Sequence, residues 1–371
     1  MHYSRVHLET IAYELPPIVV STAELENRLK PLYRNLNMQL GQLEALTGIS
    51  ERRWWEKDFP VSEGAILASK KALARTGISP QEIGILIYSG VCRDQFEPAT
   101  ACRVASALKI NSDATVYDLS NACLGMLNGV IEVANRIELK QCRAGLVVSC
   151  ETAREINEVM IDQMLREPSM ESYRQALATL TGGSGAAAIL VVDKELSAEH
   201  RRRLVGGVTQ NAPEHYGLCR WGLQTFLPSA MEKILASDAG SLIKFGYELG
   251  MKHCFRPFME TDAGSVLKFG ADLGWKTWRN FLNKLGWAVE HLDKVICHQV
   301  GTGHREAILK ALGIPHDKEF STFQYLGNIG TVSLPLTAAL AEEREFLLPG
   351  NRVGLLGIGS GLNCMMLGVE W

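Results

Sequence analysis

Eight short segments of this chain are apolar nearly from end to end instead of alternating. They are 85-ILIYSG-90, 115-TVYDL-119, 144-AGLVVSC-150 and 186-AAAILVVD-193 in the first half. In the second half they are 204-LVGGVTQ-210, 294-KVICHQV-300, 353-VGLLGIG-359 and 363-NCMMLGVEW-371. A strand with one wet face alternates apolar and polar side chains, whereas a continuously apolar strand is covered on both faces. Helical patterns separate the segments, so the expected class is α/β, with a mostly parallel sheet in each half. The halves also echo each other. A helical pattern over 126–140 runs through 141-QCRAGLVVSCE-151, and one over 333–348 runs through 349-PGNRVGLLGIGSG-361; both then read Arg-x-Gly-Leu and an apolar strand. This suggests an internal duplication, with halves at 1–195 and 196–371.

Two stretches break the pattern. Residues 152–182 read as helical with a break at Pro168. Residues 212–290 read as several helices, the longest over 264–292 with Gly270, Gly274 and Gly286 inside it. Such insertions form a cap over a site, a subunit contact, or simple covering helices.

Composition narrows the function. A chain of 371 residues with 46% hydrophobic content can bury a sizeable core. A formal net charge of −3 gives no general attraction to nucleic acid or to an acidic membrane surface. The N-terminal MHYSRVHLETIAYELPP lacks a basic region followed by an apolar core, so no signal peptide is expected. No apolar run approaches the ~20 residues of a membrane span, and a cytoplasmic location is expected. The nine cysteines have no CxxC and no regular spacing, which suits reduced thiols better than disulfides or zinc.

Three stretches carry chemistry. In 118-DLSNACLGMLNG-129, Cys123 sits between a strand and an amphipathic helix. Free N–H groups at a helix start favour thiolate over thiol. In 295-VICHQVGTG-303, His298 lies at the end of a strand, where open α/β sheets usually bind ligands. A neutral imidazole there can donate a hydrogen bond to a developing oxyanion. His304 falls on the next helix and reads as a surface position. In 327-GNIG-330, Asn328 is flanked by glycines before a helix, and its amide can stabilise an enolate without carrying charge. Taken singly, these residues could equally be a core cysteine, a loop histidine and a turn asparagine.

Together, in this order and followed by 354-GLLGIGSGLNC-364, they resemble the thiolase superfamily in its β-ketoacyl synthase III branch. The segment 46-LTGISERRWW-55 is similar to the Thr-Gly-Ile…Arg-Arg segment of that branch. Within it, 93-RDQFEPATA-101, 121-NACLGMLNG-129, 285-LGWAVEHLD-293, 327-GNIG-330 and 355-LLGIGSGLNC-364 resemble the enzymes that join two fatty acyl-CoAs head to head in long-chain olefin biosynthesis. The resemblance implies a five-layered αβαβα thiolase fold, a homodimer, and a Claisen condensation through an acyl-cysteine. CoA thioesters would be substrates, with no cofactor or metal.

By that resemblance, Cys123 is acylated, and His298 and Asn328 hold the second thioester's oxygen as its enolate forms. The backbone N–H groups of Cys123 and Ser360 form the oxyanion hole. Glu97 corresponds to a glutamate that reaches across the dimer as the α-proton base. Removing a weakly acidic α-proton calls for a positioned base, whereas decarboxylation of a malonyl group does not. Independently of the resemblance, Arg52 and Arg53 could contact the CoA phosphates or could equally be surface charges. Two other readings remain: a β-ketoacyl-ACP synthase III that extends an acyl-CoA with malonyl-ACP, and a non-condensing acyl-group transferase.

Overall fold

A computed structural model of the chain describes residues 1–197, 202–225 and 255–371. Among these residues the strands are β1 (Val6–Glu14), β2 (Ile18–Ser21), β3 (Glu51–Trp54), β4 (Ile85–Ser89), β5 (Thr115–Leu119), β6 (Ala144–Glu151), β7 (Gly185–Asp193), β8 (Arg203–Asn211), β9 (Cys219–Thr225), β10 (Phe255–Thr261), β11 (Lys294–Cys297), β12 (Arg352–Gly359) and β13 (Asn363–Glu370). The eight apolar segments are β4 to β8 and β11 to β13. Every residue of β4, β6 and β7 is buried.

The sheets are mixed, not mostly parallel. β4 runs parallel to β5 and β6, and β11 runs parallel to β12. The pairs β6–β7, β7–β1, β12–β13 and β13–β8 are antiparallel. A continuous apolar run reports burial on two faces, and that condition leaves strand direction open. The strand order is β5-β4-β6-β7-β1 on one side and β8-β13-β12-β11 on the other, joined through the pair His7–Arg203 and the bridge His2–Gly206. The series β4-β6-β7-β1 and β11-β12-β13-β8 repeat the same pairing senses, as the sequence echo suggests. β1 is absent from the sequence reading because His7, Glu9 and Thr10 interrupt its apolar character.

Helices fill three layers. Val61–Ala74 and Thr100–Leu108 cover the outer face of the first group of strands, around Leu86, Leu146 and Leu190. Ala263–Leu285 and Thr302–Leu312 cover the outer face of the second, around Val295, Leu356 and Met366. Gly125–Glu138 and Ser333–Glu343 lie between the two groups. Their core cluster draws on both, from Ile87 and Val147 to Leu355 and Leu367. The layering is α–β–α–β–α.

The first insertion forms helices Arg154–Arg166 and Met170–Ala176, with Pro168 in the break between them. The second differs from its helical expectation. β9 and β10 pair as an antiparallel two-stranded sheet, which packs on the two helices of the first insertion. The helix that follows ends at Leu285, because Gly286 caps it in a left-handed conformation (φ 65°). Residues 226–254 of this insertion lie outside the described residues.

Candidate active site

The chain turns sharply between β5 and helix Gly125–Glu138. Ala122 has φ 44°, a strained value for a residue with a Cβ, and presents Cys123 at the crest of the turn. The Leu124 N–H closes the turn on the Asn121 carbonyl at 2.9 Å. The helix begins at Gly125 with Leu124 as its cap, so Cys123 lies just before it, not in its first turn. Burial dominates the thiol, pushing it up to about 12, with Cys219 and Glu151 adding to the effect. The resting Cys123 side chain is therefore a thiol, contrary to the thiolate expected from a helix start.

The segment after β12 closes over this turn. A side chain at Gly359 would put its Cβ 3.4 Å from the Cys123 nitrogen, so glycine lets the two backbones approach closely. The Asn363 amide donates to the Asn121 side chain (3.2 Å) and to the Ser360 carbonyl (3.3 Å). Asn121 in turn donates to Asn128 at 2.7 Å. These bonds fix Ser360 relative to the cysteine turn.

His298 directly follows β11, and its backbone N–H donates to the Leu356 carbonyl of β12 at 2.9 Å. Its Nδ1 is buried without a partner among the described residues. Burial, with His304 nearby, lowers its pKa to about 4, so the ring is neutral at physiological pH.

Asn328 is held by its backbone, donating to the Thr181 carbonyl and accepting from the Gly183 N–H, both at 2.9 Å. Its side-chain oxygen accepts the Gly330 N–H at 3.0 Å, which leaves the amide NH₂ as the free donor end. The Thr331 hydroxyl accepts the Met126 N–H at 2.7 Å, tying this loop to the helix after Cys123.

Cys123, His298, Asn328 and Ser360 all line one cavity of about 660 Å³. Its walls are largely apolar and include Ile156, Met259, Leu267, Phe323 and Leu356. Size and lining suit a flexible apolar ligand with a few convergent polar groups. Both insertions contribute, through Ile156 and Leu177 from the first and Trp221, Met259 and Gly270 from the second.

The remaining expectations fare differently. Glu97 lies on the exposed loop between β4 and helix Thr100–Leu108, outside the cavity of its own chain. Arg52 cannot reach a CoA phosphate. It is fully buried, donating to Thr22 Oγ1 at 2.9 Å and to the Leu180 carbonyl at 3.1 Å, and burial lowers its pKa to about 10. Arg53 points its guanidinium at the Pro16 carbonyl (3.2 Å) and does not line the cavity. β3 pairs with β2, and this pairing alternates the two arginines between buried and half-exposed positions.

Three cavity residues escaped the sequence reading. His304 lines the cavity and is no surface residue; burial lowers its pKa. Cys219 lines it from β9, with Thr261 Oγ1 3.4 Å from its sulfur. Glu151, the last residue of β6, is 4% exposed and faces the same space. An acidic residue closing an apolar strand was the available signal for Glu151; the other two depend on long-range packing.

The family described as 3-oxoacyl-[acyl-carrier-protein (ACP)] synthase III C terminal matches residues 282–371. The acyl-CoA:acyl-CoA alkyltransferase of Shewanella oneidensis is 53% identical over 373 residues, spanning 100% of both chains. Its namesake from Xanthomonas campestris is 34% identical over 372 residues, again spanning 100% of both. A crystal structure of a variant Xanthomonas campestris OleA with bound lauric acid and lauroyl-CoA superposes with a TM-score of 0.87 at 34% identity, covering 100% of each chain.

Proposed function

This chain belongs to the family of acyl-CoA:acyl-CoA alkyltransferases, thiolase-fold acyltransferases, and from that premise we propose that it joins two fatty acyl-CoAs by a non-decarboxylative Claisen condensation. The observation that carries this reading is the convergence of Cys123, His298 and Asn328 on one large apolar cavity.

In the first half-reaction, Cys123 attacks the carbonyl carbon of one thioester and CoA leaves, taking up the thiol proton. Because the resting thiol is protonated, CoA departure and proton transfer are coupled. The backbone N–H groups of Cys123 and Ser360 receive the tetrahedral oxyanion. In the second half-reaction, a base removes the α-proton of a second acyl-CoA. His298, neutral and with one N–H to give, and the Asn328 NH₂ donate to the enolate oxygen. The enolate carbon attacks the acyl-Cys123 carbonyl, a carbon–carbon bond forms, and the Cys123 sulfur leaves and regains a proton. The product is a 2-alkyl-3-oxoacyl thioester, or the free β-keto acid after hydrolysis.

Glu97 is the base in this reading, and it acts on the neighbouring subunit of a homodimer. Its exposed loop and the adjacent Phe96, 88% exposed, support a subunit contact there. The deciding experiment is mass spectrometry of the products from one acyl-CoA, with and without malonyl-ACP. A product from acyl-CoA alone supports the reading. A strict need for malonyl-ACP replaces it with β-ketoacyl-ACP synthase III chemistry, and thioester release without a carbon–carbon product replaces it with simple acyl transfer.

A further inference from the structure

Glu151 closes β6 with its carboxylate buried in the wall of the cavity that holds Cys123. No Lys, Arg or His makes an ion pair with it among the described residues. A buried carboxylate without a cation is costly, and an apolar residue would suit this wall better. Its partners are instead two backbone N–H groups: Val91 donates to Oε1 at 3.0 Å and Cys92 to Oε2 at 3.1 Å. Those two residues open the loop that carries Glu97. The same root is fastened by Tyr88, whose hydroxyl lies 2.8 Å from the carbonyls of both Cys92 and Cys150.

We propose that Glu151 is the positioning residue for α-proton removal: its carboxylate clamps the root of the Glu97 loop and so sets where Glu97 reaches. The inference rests on the reading of Glu97 as the base. The clamp needs both oxygens as acceptors, one for each N–H. A carboxylate supplies them; a glutamine would set its own NH₂ against one of the two donors. Glu151 thus acts on the loop of its own chain, and through that loop on whichever site Glu97 serves. Burial raises the Glu151 pKa, and the Val91 N–H, the Cys92 thiol and the Cys92 N–H oppose that rise by holding the charged form.

The test compares Glu151→Gln, Glu151→Asp and Glu97→Gln with the wild type. Glu151→Gln is expected to acylate Cys123 at least as fast as the wild type, because a negative charge beside the thiol is gone. Its carbon–carbon bond formation should fall by about 10²-fold, the scale of a misplacement near 1 Å. Glu151→Asp, which keeps both acceptors, should recover part of that loss. Condensation at the wild-type rate in Glu151→Gln overturns the proposal, as does a parallel loss of acylation.

Mixed dimers add a pattern that general damage to the fold would not produce. Glu151→Gln chains mixed with Cys123→Ala chains should regain activity as Glu97→Gln chains do. Mixed with Glu97→Gln chains they should stay inactive, and recovery there overturns the proposal. If Glu97→Gln condenses normally, the reading of Glu97 fails. If the Glu97→Gln and Cys123→Ala mixture does not recover, only its action across the dimer fails, and the single-variant comparison still decides the role of Glu151.

Discussion

The Gly183 N–H donates to the Asn328 carbonyl at 2.9 Å, joining the loop before β7 to the loop that carries the Asn328 amide. The Asn328 amide is therefore positioned by a segment far away in sequence. A Cβ at Gly183 would overlap the Leu326 carbonyl oxygen, a backbone atom that cannot swing aside.

Gly183→Ala is accordingly expected to displace Asn328 and lower condensation by about 10²-fold, while Cys123 acylates within a few-fold of the wild-type rate. Single-turnover acylation measured beside product formation checks this. Equal rates of condensation in the two proteins would show that the loop absorbs the added methyl without moving the amide.

Incubation with an acyl-CoA should add one acyl group per chain, at Cys123. Cys123→Ser should remain unmodified or react very slowly, because a serine hydroxyl is harder to ionise. His298→Ala and Asn328→Ala should acylate but fail to condense, each losing ~10²–10³ in rate with one oxyanion donor. Intact-protein mass spectrometry locates the label; a stable label on Cys219 with Cys123 free would move the nucleophile to β9.

The neutral His298 links the site to acid stability. Its pKa is lowered to about 4 in the folded chain, below that of a free imidazole, so the unfolded chain binds the proton first as pH falls. Stability is fully present above the unfolded value of about 6.5 and is lost progressively down to about 4, by at most about 3 kcal/mol. His298→Asn should lose less stability than the wild type across that window, as read from denaturation midpoints at pH 7.5, 6 and 5. For the same reason, the activity profile should show no His298 ionisation near pH 6.5.

Glu97→Gln keeps size and hydrogen bonding but removes basicity, so it should form the acyl-Cys123 enzyme and fail to condense. Mixed with Cys123→Ala chains, it should regain part of the activity, since one of the two sites then pairs an intact cysteine with an intact glutamate from the other chain. No recovery would confine Glu97 to its own subunit.

The amino-acid sequence by itself determined the eight apolar strands, because burial on both faces leaves a local mark in every one of them. It also marked Cys123, His298 and Asn328, because each sits at the end of an element, where small residues and glycines punctuate the pattern. Strand direction lay beyond it, since an apolar run is equally buried in parallel and antiparallel pairing. So did the fate of Arg52, whose surroundings at Thr22 and Leu180 come from distant parts of the chain. The tertiary structure alone brought Cys219 and His304 into the cavity. It also raised the Cys123 thiol, because enclosure by neighbouring segments outweighs the favourable end of a helix that begins two residues later.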